Sequence, residues 1–239
     1  MTTIAMRAAL CVMSLATLAS CGGNACIGFD GCSGTNAAPN FTLSGTAATG
    51  KALASAMLSV TCAQGSGSTL SDGGGHYSIA FNATLPCVLT VTSGGTTLHS
   101  LAFAGGTFNT TPETELMLVY LASQLGTAES SLIADFPGNA RFQQVLADQS
   151  KVLAAQSAVV TNLQQHYSVT LTTPAFLTTP FTVGQAGGVD SDLDALAKAG
   201  AIDANGMPDP AAVSLISTAG LAHPITATST PSSGTGGTM

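Results

Sequence analysis

The sequence predicts a segregated α+β protein, a β-sandwich followed by a small α-helical domain. Three observations carry that expectation. From Asn40 to about Thr110, apolar and polar residues alternate in short runs. Gly-rich turn signals separate those runs, and beyond Thr110 the apolar spacing changes to three and four. Alternation is the period of a half-buried strand, and spacings of three and four are the period of one helix face.

The strand region reads element by element. Phe41, Leu43 and Gly45 open the first strand. Leu58, Val60 and Cys62 alternate with Ser59 and Thr61 in a second, and Tyr77, Ile79 and Phe81 with Ser78 and Ala80 in a third. Cys87, Leu89 and Val91 alternate with Thr90 and Thr92 in a fourth, while Leu101 and Phe103 mark a fifth. Turns are expected at Thr49-Gly50, Gly65-Ser66-Gly67, Asp72-Gly73-Gly74-Gly75 and Gly94-Gly95. Short strands at this spacing are the pattern of a sandwich.

Cys62 shares parity with Leu58 and Val60, and Cys87 with Leu89 and Val91. Side chains two apart point to the same face of a strand, so both thiols face the apolar side and can meet. A Cys62–Cys87 disulfide is expected.

The runs Leu43-Ser44-Gly45-Thr46-Ala47, Gly50-Lys51-Ala52-Leu53-Ala54-Ser55-Ala56 and Ser71-Asp72-Gly73-Gly74-Gly75-His76-Tyr77-Ser78-Ile79 together resemble carboxypeptidase regulatory-like domains. Those domains are transthyretin-like or immunoglobulin-like (Ig-like) sandwiches, with a glycine in the opening strand and a later D-x-x-G-x-Y hairpin. The resemblance covers about seventy residues and implies a fold, not an activity, because such domains accompany many functions. No H-x-x-E zinc motif occurs, so metallocarboxypeptidase activity is not implied. The strands-then-helices order also resembles uncharacterised bacterial surface lipoproteins.

Past Thr110, Thr110-Thr111-Pro112-Glu113 reads as a helix start, with a capping hydroxyl, Pro in the first turn and early acids. Leu116, Met117, Tyr120 and Leu121 form its apolar face, and Gly126 ends it. One longer helix is expected from about Asn139 to His166, on the spacing of Phe142, Val145, Leu146, Val152, Leu153, Val159, Val160 and Leu163. Asp190 or Ser191 caps a short helix stopped by Gly200, and Asp209-Pro210 opens another that Gly220 ends. The organisation is thus a signal peptide at 1–20, a Gly-rich tether at 21–39, the sandwich at 40–110, the helical region at 111–224 and a disordered tail at 225–239.

The N-terminus carries an address. Arg7 precedes an apolar run from Ala8 to Leu18, and Leu18-Ala19-Ser20-Cys21 closes it. The run is too short to span a bilayer but suits a signal-peptide core. The four residues resemble the lipobox of bacterial lipoproteins, which implies cleavage before Cys21, lipid on its thiol and usually on the new amine. Two or three acyl chains anchor stably where one does not. The competing reading is an ordinary secretory signal with Cys21 as a structural thiol. The cysteine count favours the lipid: with Cys11 removed and Cys21 acylated, Cys26, Cys32, Cys62 and Cys87 remain, an even number suited to two disulfides in an oxidising compartment. Their spacings lack the paired pattern of a zinc site. Gly22 and Gly23 succeed the anchor without the Asp of inner-membrane retention, which favours the outer membrane in a Gram-negative cell.

Charged residues make up 7% of the chain and hydrophobic residues 45%. Ordinary soluble domains carry roughly 25% charge, so the surface here is polar but nearly uncharged. After removal of 1–20, four cations (Lys51, Arg141, Lys151, Lys198) face twelve acids, a net charge of −8. Such a surface has no footprint for nucleic acid or for anionic headgroups. The expected partners are membrane lipid through acylated Cys21 and an envelope protein or glycan.

No nucleophile elbow, H-E-x-x-H pair or phosphate loop is present. His76, His99, His166 and His223 have no second His or Cys at ligand spacing and are expected in surface or capping roles. Asp190-Ser191-Asp192-Leu193-Asp194 begins like a calcium loop, but Ala195 and Ala201 stand where Gly and Glu are needed. Acids around a helix N-terminus are the simpler reading. Glu113 and Glu115 are expected as helix caps rather than as a carboxylate dyad. Asp203-Ala204-Asn205-Gly206 reads as a turn, and the N-x-T triplets at Asn40, Asn82 and Asn109 as coincidence. No catalytic residue, metal or cofactor is assigned. The function expected is that of a non-catalytic, membrane-anchored interaction or structural module. The alternatives are an envelope hydrolase or an accessory subunit of a secretion or surface assembly.

Overall fold

The alternation written into Leu58–Cys62 is realised as strand β2 (Met57–Gln64), whose residues are exposed and buried in turn up to Cys62. A computed structural model describes residues 38–226. The expected signal peptide, Cys21, Cys26, Cys32 and residues 227–239 lie outside the described residues. The other strands are β1 (Asn40–Thr46), β3 (Ser66–Leu70), β4 (His76–Asn82), β5 (Thr84–Ser93), β6 (Thr96–Ala102) and β7 (Gly106–Thr107). The helices are α1 (Pro112–Gln124), α2 (Glu129–Asp135), α3 (Ala140–Ala147), α4 (Gln149–Tyr167), α5 (Gly188–Ala199) and α6 (Pro210–Leu221). A 3₁₀ turn at Phe136–Gly138 links α2 to α3.

The described residues thus form a mixed α+β structure with two sheets and six α-helices. One sheet has the order β4-β1-β7 and the other β3-β2-β5-β6. All pairings are antiparallel except β1 with β7. Buried residues of both sheets and of the helices belong to one core, from Leu43 and Leu58 through Met117 to Leu163 and Ile216. Strand β5 is buried on both faces from Pro86 to Leu89, because α3 packs against it from the helical side. No described helix is long and apolar enough to cross a membrane.

Cys62 and Cys87 stand opposite one another in the β2–β5 ladder and are disulfide-bonded, with Cα atoms 3.8 Å apart. The shared parity of the two thiols leads to this pairing.

Three expectations about elements are corrected, and one helix goes unforeseen. Ser66-Gly67 is not turn but the start of edge strand β3, which pairs with β2 from Ser66 to Leu70. Its residues are mostly small and polar, so no alternation betrays it. The long helix over 139–166 is broken at Asp148, whose carboxylate accepts hydrogen bonds from Ser150 N and Lys151 N (3.0 and 3.3 Å) and caps α4. Apolar periodicity continues across the break, which hides it. Helix α2 has no counterpart in the sequence pattern, since seven residues are too few to show a period. Gly220 does not end α6 but lies within it, where a Cβ would come within 2.6 Å of Tyr120 O. The missing side chain lets α6 approach α1 closely.

Helix α1 begins at Pro112 as expected, with Thr111 at the N-cap, but the expected capping hydroxyl is buried without a partner, and Thr111 N instead donates to Thr114 Oγ1 at 2.9 Å. Its burial exceeds the expectation. Every residue from Pro112 to Ser123 is buried, so α1 is enclosed on all sides rather than presenting one apolar face.

Candidate functional site

Strand β6 lies at the edge of its sheet, and α1 covers the edge near His99. His99 is the ladder partner of Thr90 in β5. Its backbone N–H donates to Glu115 Oε2 at 2.5 Å, and its carbonyl lies 2.8 Å from Thr114 Oγ1. Side chains of α1 therefore satisfy backbone groups that an edge strand would otherwise leave open.

The same contact sets the His99 ring. Nδ1 stands 3.1 Å from Glu115 Oε1 and 3.2 Å from Glu115 Oε2. Glu129, the first residue of α2, brings its Oε1 to 3.9 Å from the same nitrogen. One ligand atom from each of His99, Glu115 and Glu129 lies within 4.8 Å of the others. The side chains are 19%, 10% and 20% exposed, a mostly enclosed site with a water-accessible margin.

Glu129 Oε1 is buried without a hydrogen-bond partner. Burial first, then the charge of Glu115, pushes the Glu129 carboxyl well above the usual carboxylate range. Two carboxylates this close in a poorly solvated place do not both ionise freely. A cavity of about 330 Å³ adjoins Glu129 and is lined also by Val119, Ser123, Thr127 and Ser217. Chemically, the group can share a proton or hold a cation through one imidazole nitrogen and carboxylate oxygens.

Neither acid of the first turn of α1 is a cap. Glu115 binds His99, and Glu113 is fully enclosed with both carboxylate oxygens unpartnered. Burial, reinforced by the charge of Asp192, raises the Glu113 carboxyl well above its ordinary value. The acidic run in α5 ties loops down instead of simply lining a helix end. Asp192 accepts from Thr172 N, Thr172 Oγ1 and Thr173 N at 2.8, 3.0 and 2.7 Å. Asp190 does not cap α5, which already begins at Gly188, and its Oδ2 accepts from Gly184 N at 2.9 Å.

The remaining histidines are scattered. His76 borders a cavity of about 370 Å³ with Ser44, Thr46, Phe181 and Gln185. Its Nδ1 lies 3.0 Å from Thr46 Oγ1, whose own proton is directed to Phe181 O at 2.9 Å. A hydroxyl already donating to a carbonyl is not set up as a nucleophile for that imidazole. His166 rests edge-on against Tyr167 at the end of α4. The His223 backbone closes α6 by donating to Gly220 O at 3.0 Å.

Asn109, part of a chance triplet by sequence, is wholly buried and structural. Its Oδ1 accepts from Thr46 N at 3.1 Å, and its Nδ2 donates to Phe176 O and Thr179 O at 2.8 and 2.7 Å. Asn40 Nδ2 donates to Asn82 Oδ1 at 2.8 Å across the β1–β4 pair. Asp203 holds the turn expected of it, accepting from Asn205 N and Met207 N at 2.8 and 2.9 Å.

Sequence reasoning misses Glu129 and the convergence on His99. Sixteen residues separate His99 from Glu115, and the contact depends on how α1 folds back over β6. No local spacing encodes it. No family model, curated protein or solved structure matches the chain.

Proposed function

We propose that the chain is a lipid-anchored protein of a bacterial cell envelope whose folded body is a non-catalytic interaction or structural module. The observation that carries this reading is the lipobox-like Leu18-Ala19-Ser20-Cys21 at the end of a short apolar run with one preceding cation. Cleavage before Cys21 leaves a Gly-rich tether ahead of β1, which suits a body held off a membrane surface. The Cys62–Cys87 bond agrees with an oxidising compartment.

We further propose that β1 to β7 are a carboxypeptidase regulatory-like sandwich of the transthyretin or Ig type. Gly45 in the opening strand and Asp72–Tyr77 leading into β4 support this. Asp72 Oδ1 accepts from Gly74 N and His76 N, both at 2.8 Å, and so shapes the turn that delivers Tyr77 to the core. The partner expected for such a body is another envelope protein or a glycan, engaged through Thr, Ser, Asn and Gly rather than through charge.

The test is metabolic labelling with a palmitate analogue. The wild-type chain takes up label and fractionates with membranes, while Cys21→Ser takes up none and is left uncleaved or soluble. Equal labelling of the two would overturn the anchor.

A further inference from the structure

We propose that His99, Glu115 and Glu129 form a binding site for a divalent transition ion of the zinc class. The inference is independent of the lipid anchor and rests on geometry, donor chemistry and an unfilled valence.

The geometry comes first. Ligand atoms around a tetrahedral ion at ~2.1 Å stand roughly 3.4 Å from one another. His99 Nδ1 and Glu115 Oε1 are 3.1 Å apart, and His99 Nδ1 and Glu129 Oε1 are 3.9 Å apart. The three donors thus surround a point that an ion could occupy after small side-chain adjustments. They come from β6, α1 and α2, so the ion would join three elements.

The donor chemistry selects the ion. An imidazole nitrogen beside carboxylates suits zinc and its first-row neighbours, whereas calcium and magnesium prefer oxygen alone. Three protein ligands leave a fourth position for water. The partial exposure of all three side chains provides that opening.

The unfilled valence is the independent observation. Glu129 Oε1 is buried, faces the imidazole at 3.9 Å and has no hydrogen-bond partner. A purely structural His99–Glu115 pair would not require a second carboxylate held there with an oxygen unsatisfied. A cation seated among the three donors would satisfy that oxygen. Glu115 Oε2 accepts the His99 backbone N–H, which holds that carboxylate against the strand, the kind of supporting contact that orients metal ligands.

The experiment uses the full chain, purified in detergent and stripped with a chelator. Zn²⁺ is titrated calorimetrically, and Co²⁺ is titrated by absorption to report the ligand set. The variants are Glu129→Gln, whose neutral side chain imitates the protonated acid and so preserves the fold, and His99→Gln. Expected are saturable binding near one ion per chain, a Co²⁺ spectrum without a thiolate charge-transfer band, and at least about tenfold weaker binding in either variant. Thermal melts without metal should agree between wild type and Glu129→Gln to within about 3 °C. Unchanged affinity in Glu129→Gln would overturn the site, as would a thiolate band or no saturable binding. Tighter binding of Ca²⁺ or Mg²⁺ than of Zn²⁺ would overturn the ion class.

Discussion

Gly45 and Tyr77 are ladder partners in the β1–β4 pair, and the absence of a side chain on one makes room for the hydroxyl of the other. A Cβ on Gly45 would lie 2.6 Å from the Tyr77 hydroxyl and 2.0 Å from Phe108 O. Tyr77 Oη donates to that same carbonyl and lies 3.1 Å from Thr110 Oγ1, all within the core. One small residue thus lets strand β4 bond to the segment just after β7. Burial pushes the Tyr77 phenol up, so it stays a donor throughout the accessible pH range.

Gly45→Ala is therefore expected to destabilise the fold by about 1–3 kcal/mol, the range for forcing extra volume into a packed interior. The collision is with backbone as well as with the Tyr77 hydroxyl, so rotamer changes cannot relieve it. Urea unfolding followed by circular dichroism measures the loss. A midpoint equal to wild type would show that β1 and Phe108 separate without cost.

Glu113 gives a pH dependence whose sign is fixed. Its folded-state value is raised above the ordinary 4.5, so the native state retains a proton that the unfolded chain releases. Stability is highest below about 4.5 as far as this group is concerned, and falls as pH rises above it. Glu129 acts in the same direction. The lowered carboxyls of Asp72, Asp148 and Asp203 exert their effect below their ordinary 3.8, outside that window. Glu113→Met, similar in length and apolar, should be more stable than wild type by about 1–3 kcal/mol at pH 8, with a smaller gap at pH 5. Denaturant titrations at the two pH values test this, and a gap that shrinks at pH 8 contradicts it.

The disulfide closes a separation of 25 residues. Replacing both Cys62 and Cys87 with Ala should lower stability by about 3–4 kcal/mol on loop-closure entropy. Guanidinium unfolding of the double variant against oxidised wild type provides the comparison. A loss below ~1 kcal/mol would mean that the β2–β5 ladder already restricts the unfolded chain there.

The legible parts of the chain are those governed by local period or a strong turn former. Strands β2, β4 and β5 come from alternation, the Cys62–Cys87 pairing from parity, and the start of α1 from Thr111 and Pro112. Strand β3 is hidden because Ser66, Gly67 and Ser68 carry no apolar signal, and its place is set by pairing with β2. The break at Asp148 is hidden because a capping side chain, not a Gly or Pro, makes it. The roles of Asn109, Glu113 and Glu115 depend on partners distant in the chain. Asn109 satisfies three backbone groups in two distant segments, at Thr46 and at Phe176–Thr179, and only the folded chain brings those together.

The enclosure of α1 bears on inheritance. A helix whose every residue from Pro112 to Ser123 is hidden contributes interior to strands on one side and to α4 and α6 on others. Cutting the gene on either side of it would hand one fragment a naked apolar rod and leave the other with an uncovered cleft. Recombination or domain fusion must therefore move the stretch from β1 to α6 together. On the C-terminal side the unit extends past α6 to Ile225, which packs on the core and is bonded to Gln124 and Arg141.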